Sequence, residues 1–445
     1  MFERKIYRKM LDWRESHAKD RALFLRGGRM VGKTTLAEKL GREAFRSFIT
    51  IRFAEADASL KALFKDALND RESFYSALCA LGGTRLYDGE SLLILDDVHL
   101  FPAVRSAAKT LLDDGRCAVM ETGSEAPMTK ESRPDPIPEH ESVLDVGPMD
   151  FEEFLLASGD TFTADFVRSR LEKGLPMGAA HGSVMDRFRE YVLVGGLPQA
   201  VDAFLHGKKL EKADAVKRRI LEAQQNDIEK QSAQRRTYVS AFFAGIPREL
   251  AKRDKRYVLT HIDAGARKRE YLGSLRWLER CGAVNVARNL DASSADLTAS
   301  VSDDAFKCYL ADTGLLVTLA GGGKSVFENE RYKNFFLNRW EEENGMLVEN
   351  AVAQCLSASG HSLCYFRRQS KEKKKTLAQI DFLLRSGDCL LPLTFHPANA
   401  ALLKSVRILN SESPLRVGKP IVLHAGDIKE DERARYLPFY LAAFL

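Results

Sequence analysis

A short loop between a strand pattern and a helical pattern constrains this chain more than any other feature. In LFLRGGRMVGKTT, Gly27 is followed by four residues and then by Gly32-Lys33-Thr34, the spacing G-x4-G-K-[ST]. Glycines let such a loop bend until its backbone N–H groups face phosphate oxygens, and the helix N-terminus that follows favours negative charge. The apolar run before the loop and the helical pattern after it are the context that the spacing requires. The sequence therefore predicts a phosphate-binding loop.

Each part of this loop has a predicted role. Lys33 would neutralise the β- and γ-phosphates, and the Thr34 hydroxyl would ligate Mg²⁺. The expected cofactors are therefore ATP and Mg²⁺. The nucleotide-binding residues predicted from the motif are Gly27, Gly28, Arg29, Met30, Val31, Gly32, Lys33, Thr34 and Thr35.

Two acids follow the apolar run in SLLILDDVHLF, at the point where ligands bind in open α/β sheets. We expect Asp96 to hold Mg²⁺ through water, and Asp97 to orient the attacking water. The next apolar run, in CAVMETGSEA, ends in Thr122 and Ser124, and Thr122 is a candidate catalytic contact to the γ-phosphate or the water. A capping or turn-forming role is the alternative for these side chains. For the acid at the strand end the upstream loop favours the site, whereas for the hydroxyls of Thr122 and Ser124 both roles stay open.

Apolar runs alternate with helical patterns from Ala22 to Met149, as they do in a parallel α/β sheet. A helical stretch then continues to about residue 230. In residues 231–320 two helical patterns precede a pair of apolar segments, which is the element order of a winged helix. Residues 325–445 return to an α/β arrangement after the linker GGGK.

Bulk properties exclude several classes of protein. The chain has 445 residues, a net charge of +5 and no uncharged apolar stretch near the ~20 residues that a membrane span needs. Its seven cysteines are far apart and include no CxxC pair, which is typical of reduced thiols rather than a disulfide framework. A cytoplasmic protein without a membrane partner is expected.

The loop, the acid pair and the polar strand end, in this order, resemble the AAA-type P-loop ATPases. More narrowly, PMDFEEFL, YVLVGGLPQAV and FKCYLADTGLL resemble a prokaryotic group of ATP-binding proteins. The resemblance implies an AAA-type core in residues 1–150 and a lid-like helical region in 151–230. It further implies that the winged helix in 231–320 touches DNA, and that 325–445 forms a nuclease-like domain.

Two departures from the family pattern bear on hydrolysis. Most relatives have Glu where this chain has Asp97, and a shorter side chain can misplace a catalytic group. Many also carry a Gly-Arg before the fifth strand as an arginine finger, whereas this chain reads PIPEHES there and its nearest arginine is Arg133. The expected function is an ATP hydrolase whose nucleotide state controls the later domains. The alternative is an ATP-gated switch that binds DNA or protein with little hydrolysis.

The helical pattern RKREYLGSLRWLER separates an apolar face from a basic one. Its predicted core residues are Leu272, Leu275, Trp277 and Leu278, and its predicted phosphate-facing or solvated residues are Arg267, Lys268, Arg269 and Arg276. DNA is the possible partner of this helix. A protein partner or a homo-oligomer is the other expectation, because a winged helix can also serve protein contacts alone.

The C-terminal segment resembles the PD-(D/E)xK nuclease core. Glu349 matches the helix acid of that core and Asp381 its strand acid, but Thr394 replaces the next acid and His396 replaces the lysine. Two carboxylates make a weak site for a hard dication. We therefore expect a hairpin around the turn RSGD, no nuclease activity, and structural roles for Glu349 on a helix surface and Asp381 as a strand-end cap.

Overall fold

The computed structural model describes residues 2–66, 70–124, 140–257, 268–290, 301–325, 328, 335, 345–370 and 376–445. For residues 65, 66, 106, 234, 268–270 and 301–305 it describes the backbone alone. Two compact units form: the first is Glu3–Gly147 with Arg280–Gly282, and the second is Phe2 with Pro148–Glu279 and Ala283–Leu445. Outside the described residues lie Arg133, Arg267 and the lysine-rich segment KEKKK at 371–375, for which the sequence predicts a solvated loop.

The first unit is a parallel sheet in the order β2-β3-β4-β1-β5. Its strands coincide with the apolar runs predicted between Ala22 and Met149, because strands covered on both faces are continuously apolar. The strands are β1 Ala22–Arg26, β2 Ser47–Arg52, β3 Ser91–Asp96, β4 Cys117–Gly123 and β5 Glu141–Asp145. The helices are α1 Ile6–Ser16, α2 Lys33–Ala44, α3 Ala58–Asp66, α4 Arg71–Gly82 and α5 Ala103–Asp114, with a 3-10 turn at Val98–Leu100.

The core of the first unit lies between the sheet and its helices. Leu93 and Leu95 of β3 are fully buried, as are Val104 and Ala108 on the facing side of α5. Burial of these apolar side chains stabilises the sheet by removing them from water. The core therefore holds the carboxyl ends of the strands at one edge, which is where the predicted site residues stand.

The second unit begins with helices. Asp150 caps the first of them with a capping box that includes Glu153, which accounts for the start of the helical pattern MDFEEFLLAS. The segments PMGAAHGS and VGGLPQ separate successive helices. These helices are α6 Phe151–Ala157, α7 Thr161–Lys173, α8 Ala180–Val194, α9 Pro198–Leu205, α10 Leu210–Glu229, α11 Ala233–Leu250 and α12 Lys268–Arg280.

The rest of the second unit is built on a nine-stranded sheet, in which β13-β14-β12-β10-β9-β8-β6-β7 run in order and β11 pairs with β10. Its strands are β6 Val284–Leu290, β7 Val301–Leu310, β8 Cys364–Gln369, β9 Thr376–Ser386, β10 Cys389–Thr394, β11 Arg416–Val417, β12 Ile421–His424, β13 Lys429–Glu430 and β14 Arg435–Pro438. The helices among them are α13 Thr313–Ala320, α14 Gly345–Ala358 and α15 Ala400–Glu412, and a 3-10 helix covers Phe439–Phe444.

One sheet crosses the predicted boundary between 231–320 and 325–445. The elements α11, α12, β6 and β7 follow the predicted order, and β6 and β7 form an antiparallel pair. However, β6 also pairs in parallel with β8, where Arg288 is opposite Cys364. The strand pair thus belongs to the same sheet as the C-terminal strands, and the hairpin β9–β10 around RSGD forms as predicted.

The three sequence stretches that carry the narrower resemblance meet at one buried junction. The Asp312 carboxylate caps α13 and accepts a hydrogen bond from the Gly196 amide at 2.6 Å. The Met149 amide donates to the Gly196 carbonyl oxygen at 2.7 Å. Gln354 accepts a bond from the Thr313 amide and donates one to the Met149 carbonyl oxygen. These stretches therefore serve the assembly of the second unit.

No helix among the described residues is long and apolar enough to cross a membrane. The seven cysteines all lie in the described ranges, and none of them forms a disulfide. Of the basic helix α12, Leu275, Trp277 and Leu278 are buried as predicted, and Leu272 is half-buried. The Arg276 side chain is exposed. The amphipathic pattern is thus confirmed for these residues, whereas the side chains of Lys268 and Arg269 are not described.

Candidate functional site

The loop between β1 and α2 is held in a bent conformation by its glycines. A methyl group on Gly27 would lie 2.1 Å from the Val146 carbonyl oxygen, so a larger residue is excluded there. Gly32 caps α2 with a φ of 96°, in the left-handed region that glycine adopts without strain. Met30 also has a positive φ, of 61°, which is costly for a residue with a side chain. The loop therefore stores some backbone strain at the point where phosphate would bind.

Lys33 folds back over this loop. Its Nζ donates to the carbonyl oxygens of Gly28, at 2.8 Å, and Gly27, at 3.2 Å. Burial lowers the pKa of Lys33, Asp97 and Asp96 raise it in part, and Arg29 lowers it further. Negative phosphate oxygens next to the ammonium would favour its charged form. The ammonium is thus close to the predicted phosphate position. When phosphate binds, the ammonium can donate to phosphate oxygens in place of the carbonyl oxygens of Gly27 and Gly28.

Two predicted site hydroxyls from separate elements converge on one carboxylate oxygen of Asp96. Thr34 Oγ1 donates to Asp96 Oδ1 at 2.7 Å, and Thr122 Oγ1 donates to the same oxygen at 2.6 Å. Asp96 is 6% exposed at the end of β3, and Thr122 is fully buried near the end of β4. The parallel pairing of β3 with β4 brings these strand ends together.

This arrangement fits a magnesium ion held mainly by water and phosphate. Hydroxyl and carboxylate oxygens are ligands that Mg²⁺ prefers, and it is usually held by one or two protein oxygens beside a nucleotide. Among the described residues no group of three or more His, Cys, Asp or Glu could hold a metal by itself. Thr34 and Asp96 are therefore the side chains that fit the ion, with the nucleotide supplying further ligands.

Asp97 lies beside this cluster in an unusual conformation. Its φ of 59° and ψ of 47° are left-handed, although it has a side chain. The Asp97 amide donates to Thr122 Oγ1 at 3.2 Å, and the carboxylate, which is 37% exposed, lies 3.9 Å from His99 Nδ1. The backbone of Asp97 is thus attached to the Asp96 cluster through Thr122, and its carboxylate is near enough to Lys33 to raise the pKa of that ammonium. Strain of this kind is often retained at functional sites.

The remaining predicted residues differ in accessibility. Arg29, Met30 and Thr35 are exposed, whereas Val31 is buried and packs into the core. Ser124, at the end of β4, is half-buried. Thr122 is more than a turn former, because its hydroxyl both donates to Asp96 and accepts from the backbone of Asp97.

Sequence reasoning missed Arg4, which supports the loop from the N-terminal segment. Its guanidinium donates to the Val31 carbonyl oxygen at 2.9 Å and to the Gly147 carbonyl oxygen at 2.7 Å. Arg26 was missed too; it forms an ion pair with Asp145, so that the ends of β1 and β5 are joined beside the loop. Arg4 precedes α1 in a basic segment with Lys5 and Arg8, and no spacing in this segment indicates which arginine contacts the loop.

The acids of the second unit are placed differently from the prediction. Glu349 is 4% exposed, so its expected position on a helix surface is wrong. Asp381 is also 4% exposed and lies inside β9, not at a strand end. Its carboxylate accepts hydrogen bonds from the Thr394 hydroxyl at 2.8 Å and the Phe395 amide at 3.2 Å. Lys404 is exposed on α15.

Comparisons with known proteins cover parts of the chain. Residues 19–155 match a family described as an AAA domain, and residues 185–325 match a domain of unknown function, DUF8612. No curated protein matches the chain. A crystal structure of Cdc6p from Pyrobaculum aerophilum is similar, with 18% identity over 60% of this chain and 81% of that chain. Its TM-score of 0.23 is too low to support an inference about the fold.

The AAA-domain match covers the parallel sheet of the first unit and the loop between β1 and α2. Its boundaries, 19–155, include every strand of the first unit and all of the predicted nucleotide-binding residues. The match, the parallel sheet and the loop geometry together support an AAA-type P-loop NTPase fold for the first unit, and with it an ATP-binding ATPase.

Proposed function

We propose that the chain binds ATP with Mg²⁺ and hydrolyses it at the loop of the first unit. The observation that carries this proposal is the convergence of Thr34, Asp96 and Thr122 beside the Lys33 ammonium. A bound Mg²⁺ would neutralise charge on the β- and γ-phosphates. Thr34 and Asp96 would hold that ion, and Lys33 would add positive charge on the phosphate side.

Asp97 and Thr122 would act on the attacking water. In this proposal the partly exposed Asp97 carboxylate accepts a hydrogen bond from the water and orients it. Thr122 holds the backbone of Asp97 by accepting a hydrogen bond from its amide. A carboxylate within hydrogen-bond reach of the proton is what general-base catalysis requires. The turnover would depend on how far this short side chain reaches.

Release of phosphate tests the proposal. Lys33→Ala removes the ammonium, whereas Lys39→Ala removes a lysine from the same helix that lies over the Tyr7 ring instead of the loop. We expect phosphate release to fall by about 100-fold or more in Lys33→Ala and to stay near the wild-type rate in Lys39→Ala. Equal rates in wild type and Lys33→Ala would contradict the proposal.

For the second unit we propose that residues 151–230 act as a helical lid, 231–320 as a winged helix and 325–445 as an inactive nuclease-like domain. Nucleotide state would control their interaction with DNA or a protein. The exposed Arg276 on α12 supports a phosphate contact. If the affinity for duplex DNA, measured by fluorescence anisotropy, is the same with ATP, ADP and no nucleotide, control of DNA binding is excluded.

A switch with little hydrolysis is a second candidate function, and the geometry of Asp97 favours it. Its short side chain leaves from a left-handed backbone, which limits the positions that the carboxylate can reach. This candidate predicts tight ATP binding, a turnover near zero, and partner affinity that differs between ATP and ADP. A turnover typical of enzymes, ~1 per second or faster, would exclude it.

A further inference from the structure

Two buried acids in the second unit face one shared cation of the chain itself. Lys307 Nζ lies 3.1 Å from Glu349 Oε1 and 3.5 Å from Asp381 Oδ1. All three side chains are almost completely buried. Two carboxylates in a site of low polarity repel each other strongly unless a cation stands between them. Here Lys307, from β7, stands between α14 and β9.

Each carboxylate oxygen of this pair already has a donor or a cation next to it. Glu349 Oε1 accepts from the Tyr309 hydroxyl at 2.6 Å as well as from Lys307, and Glu349 Oε2 pairs with Lys255. Asp381 Oδ2 accepts from Thr394 and from a backbone amide, and Asp381 Oδ1 faces Lys307. A divalent cation would have to displace these partners to gain its oxygen ligands.

The charges of the cluster also balance without a metal. Lys307 and Lys255 offset Glu349 and Asp381, so a dication would add two uncompensated positive charges in a buried place. Lys307 is held further by aromatic faces, since its Nζ lies 5.5 Å from the Tyr365 ring centroid and 5.6 Å from that of Phe382. Burial opposes the charged form of Lys307, but the two carboxylates outweigh it and raise its pKa.

We propose that the Lys307 ammonium takes the place of a divalent cation between Glu349 and Asp381, so that this acidic pair is a structural ion cluster which binds no metal. The proposal does not rest on ATP binding by the first unit. The replacements at Thr394 and His396 only remove groups that the nuclease core would use. The role assigned to Lys307 is to occupy the position that a metal ion would need.

Binding of Mn²⁺ to the full chain tests the proposal, with the Asp381→Asn variant used to identify any ion held by this cluster. In wild type we expect the cluster to hold no Mn²⁺, even at millimolar concentrations. Wild type and Asp381→Asn should therefore bind the same number of ions. In Lys307→Ala combined with Thr394→Glu we expect one additional Mn²⁺, which disappears when Asp381→Asn is added. A wild-type Mn²⁺ site that Asp381→Asn removes would overturn the proposal, and so would a folded Lys307→Ala/Thr394→Glu variant that gains no ion.

Thermal unfolding provides a second measurement if the double variant does not fold. Removing one partner of a buried pair leaves the other charge uncompensated, so Lys307→Ala should unfold at a lower temperature than wild type. Mn²⁺ should recover part of that loss in Lys307→Ala and leave the wild-type transition of the second unit unchanged. The matched control is Lys404→Ala, which removes an exposed lysine of the same unit. Its unfolding temperature should equal that of wild type and should not change with Mn²⁺. A wild-type transition of the second unit that Mn²⁺ raises, with the increase lost in Asp381→Asn, would overturn the proposal.

Discussion

Thr34 Oγ1 lies 2.7 Å from Asp96 Oδ1, so the first turn of α2 is hydrogen-bonded to the end of β3. Thr122 donates to the same oxygen from β4. Because one carboxylate oxygen accepts hydrogen bonds from both hydroxyls, the three side chains form one hydrogen-bonded cluster. Substitutions among them should not have additive effects.

The Thr34 hydroxyl is expected to link ATP affinity to Mg²⁺. In wild type Mg²⁺ should strengthen ATP binding, whereas in Thr34→Ala that gain should fall by about tenfold because an oxygen ligand is lost. Thr34→Ser retains the hydroxyl and should retain most of the gain. Titrations of a fluorescent ATP analogue with Mg²⁺ and with EDTA measure the effect. An unchanged Mg²⁺ gain in Thr34→Ala would show that Thr34 is not a ligand.

Substitutions of Asp97 can separate the role of its carboxylate in hydrolysis from the effect of its left-handed backbone conformation on stability. Asparagine tolerates the left-handed region, so Asp97→Asn should keep the fold and the ATP affinity while phosphate release falls by about 100-fold. Asp97→Gly removes the strain and should raise the free energy of unfolding by roughly 1 kcal/mol while also losing hydrolysis. Phosphate release and thermal unfolding are measured on both variants. Wild-type hydrolysis in Asp97→Asn would assign Asp97 a structural role.

Arg4 is expected to position the loop without touching the nucleotide. Arg4→Ala removes its hydrogen bonds to Val31 and Gly147. It should weaken ATP binding by roughly 10-fold to 150-fold, since a charged hydrogen bond is worth about 1.5–3 kcal/mol and each 1.4 kcal/mol is about a factor of ten. Arg4→Lys should recover part of the affinity. Arg8→Ala, an exposed arginine of α1, is the matched control. Equal ATP affinity in Arg4→Ala and Arg8→Ala would exclude the positioning role.

The buried carboxyl of Glu121 predicts a stability that depends on pH. Burial and the neighbouring Glu141 raise the pKa of Glu121 to about 8, and Arg105, whose Nε is 3.4 Å from Glu121 Oε2, opposes this. The unfolded chain loses this proton near pH 4.5, earlier than the folded protein. Ionised Glu121 therefore destabilises the fold progressively as pH rises from 4.5 to 8, and the full penalty is present above 8.

Glu121→Gln removes that penalty. Relative to wild type, the variant should gain free energy of unfolding between pH 5 and pH 8, by roughly 1–3 kcal/mol, because a buried charge no longer has to form. Urea unfolding at several pH values measures the difference. Glu90→Gln, which alters an exposed carboxyl paired with Arg46, should show no such increase. A difference between Glu121→Gln and wild type that does not vary with pH would contradict the expectation.

The elements of the first unit were predictable because their signals are local. The sequence of a buried parallel strand is a continuous apolar run, and the glycine spacing of the loop indicates a backbone bend. In contrast, Glu349 and Asp381 were placed wrongly. Their partner Lys307 comes from another strand, and nothing in the residues next to either acid indicates that a lysine will neutralise it. Burial of a charge depends on such distant partners.

The amino-acid sequence by itself determined the parallel sheet, the loop at Gly27–Thr34 and the acids at the end of β3, because each rests on residue types at short spacing. The tertiary structure alone decided which side chains meet. It joined Thr34 and Thr122 on one oxygen of Asp96, set Arg4 against the loop, and placed Lys307 between two acids. Contacts of this kind depend on packing between elements far apart in the chain, which short-range patterns do not encode.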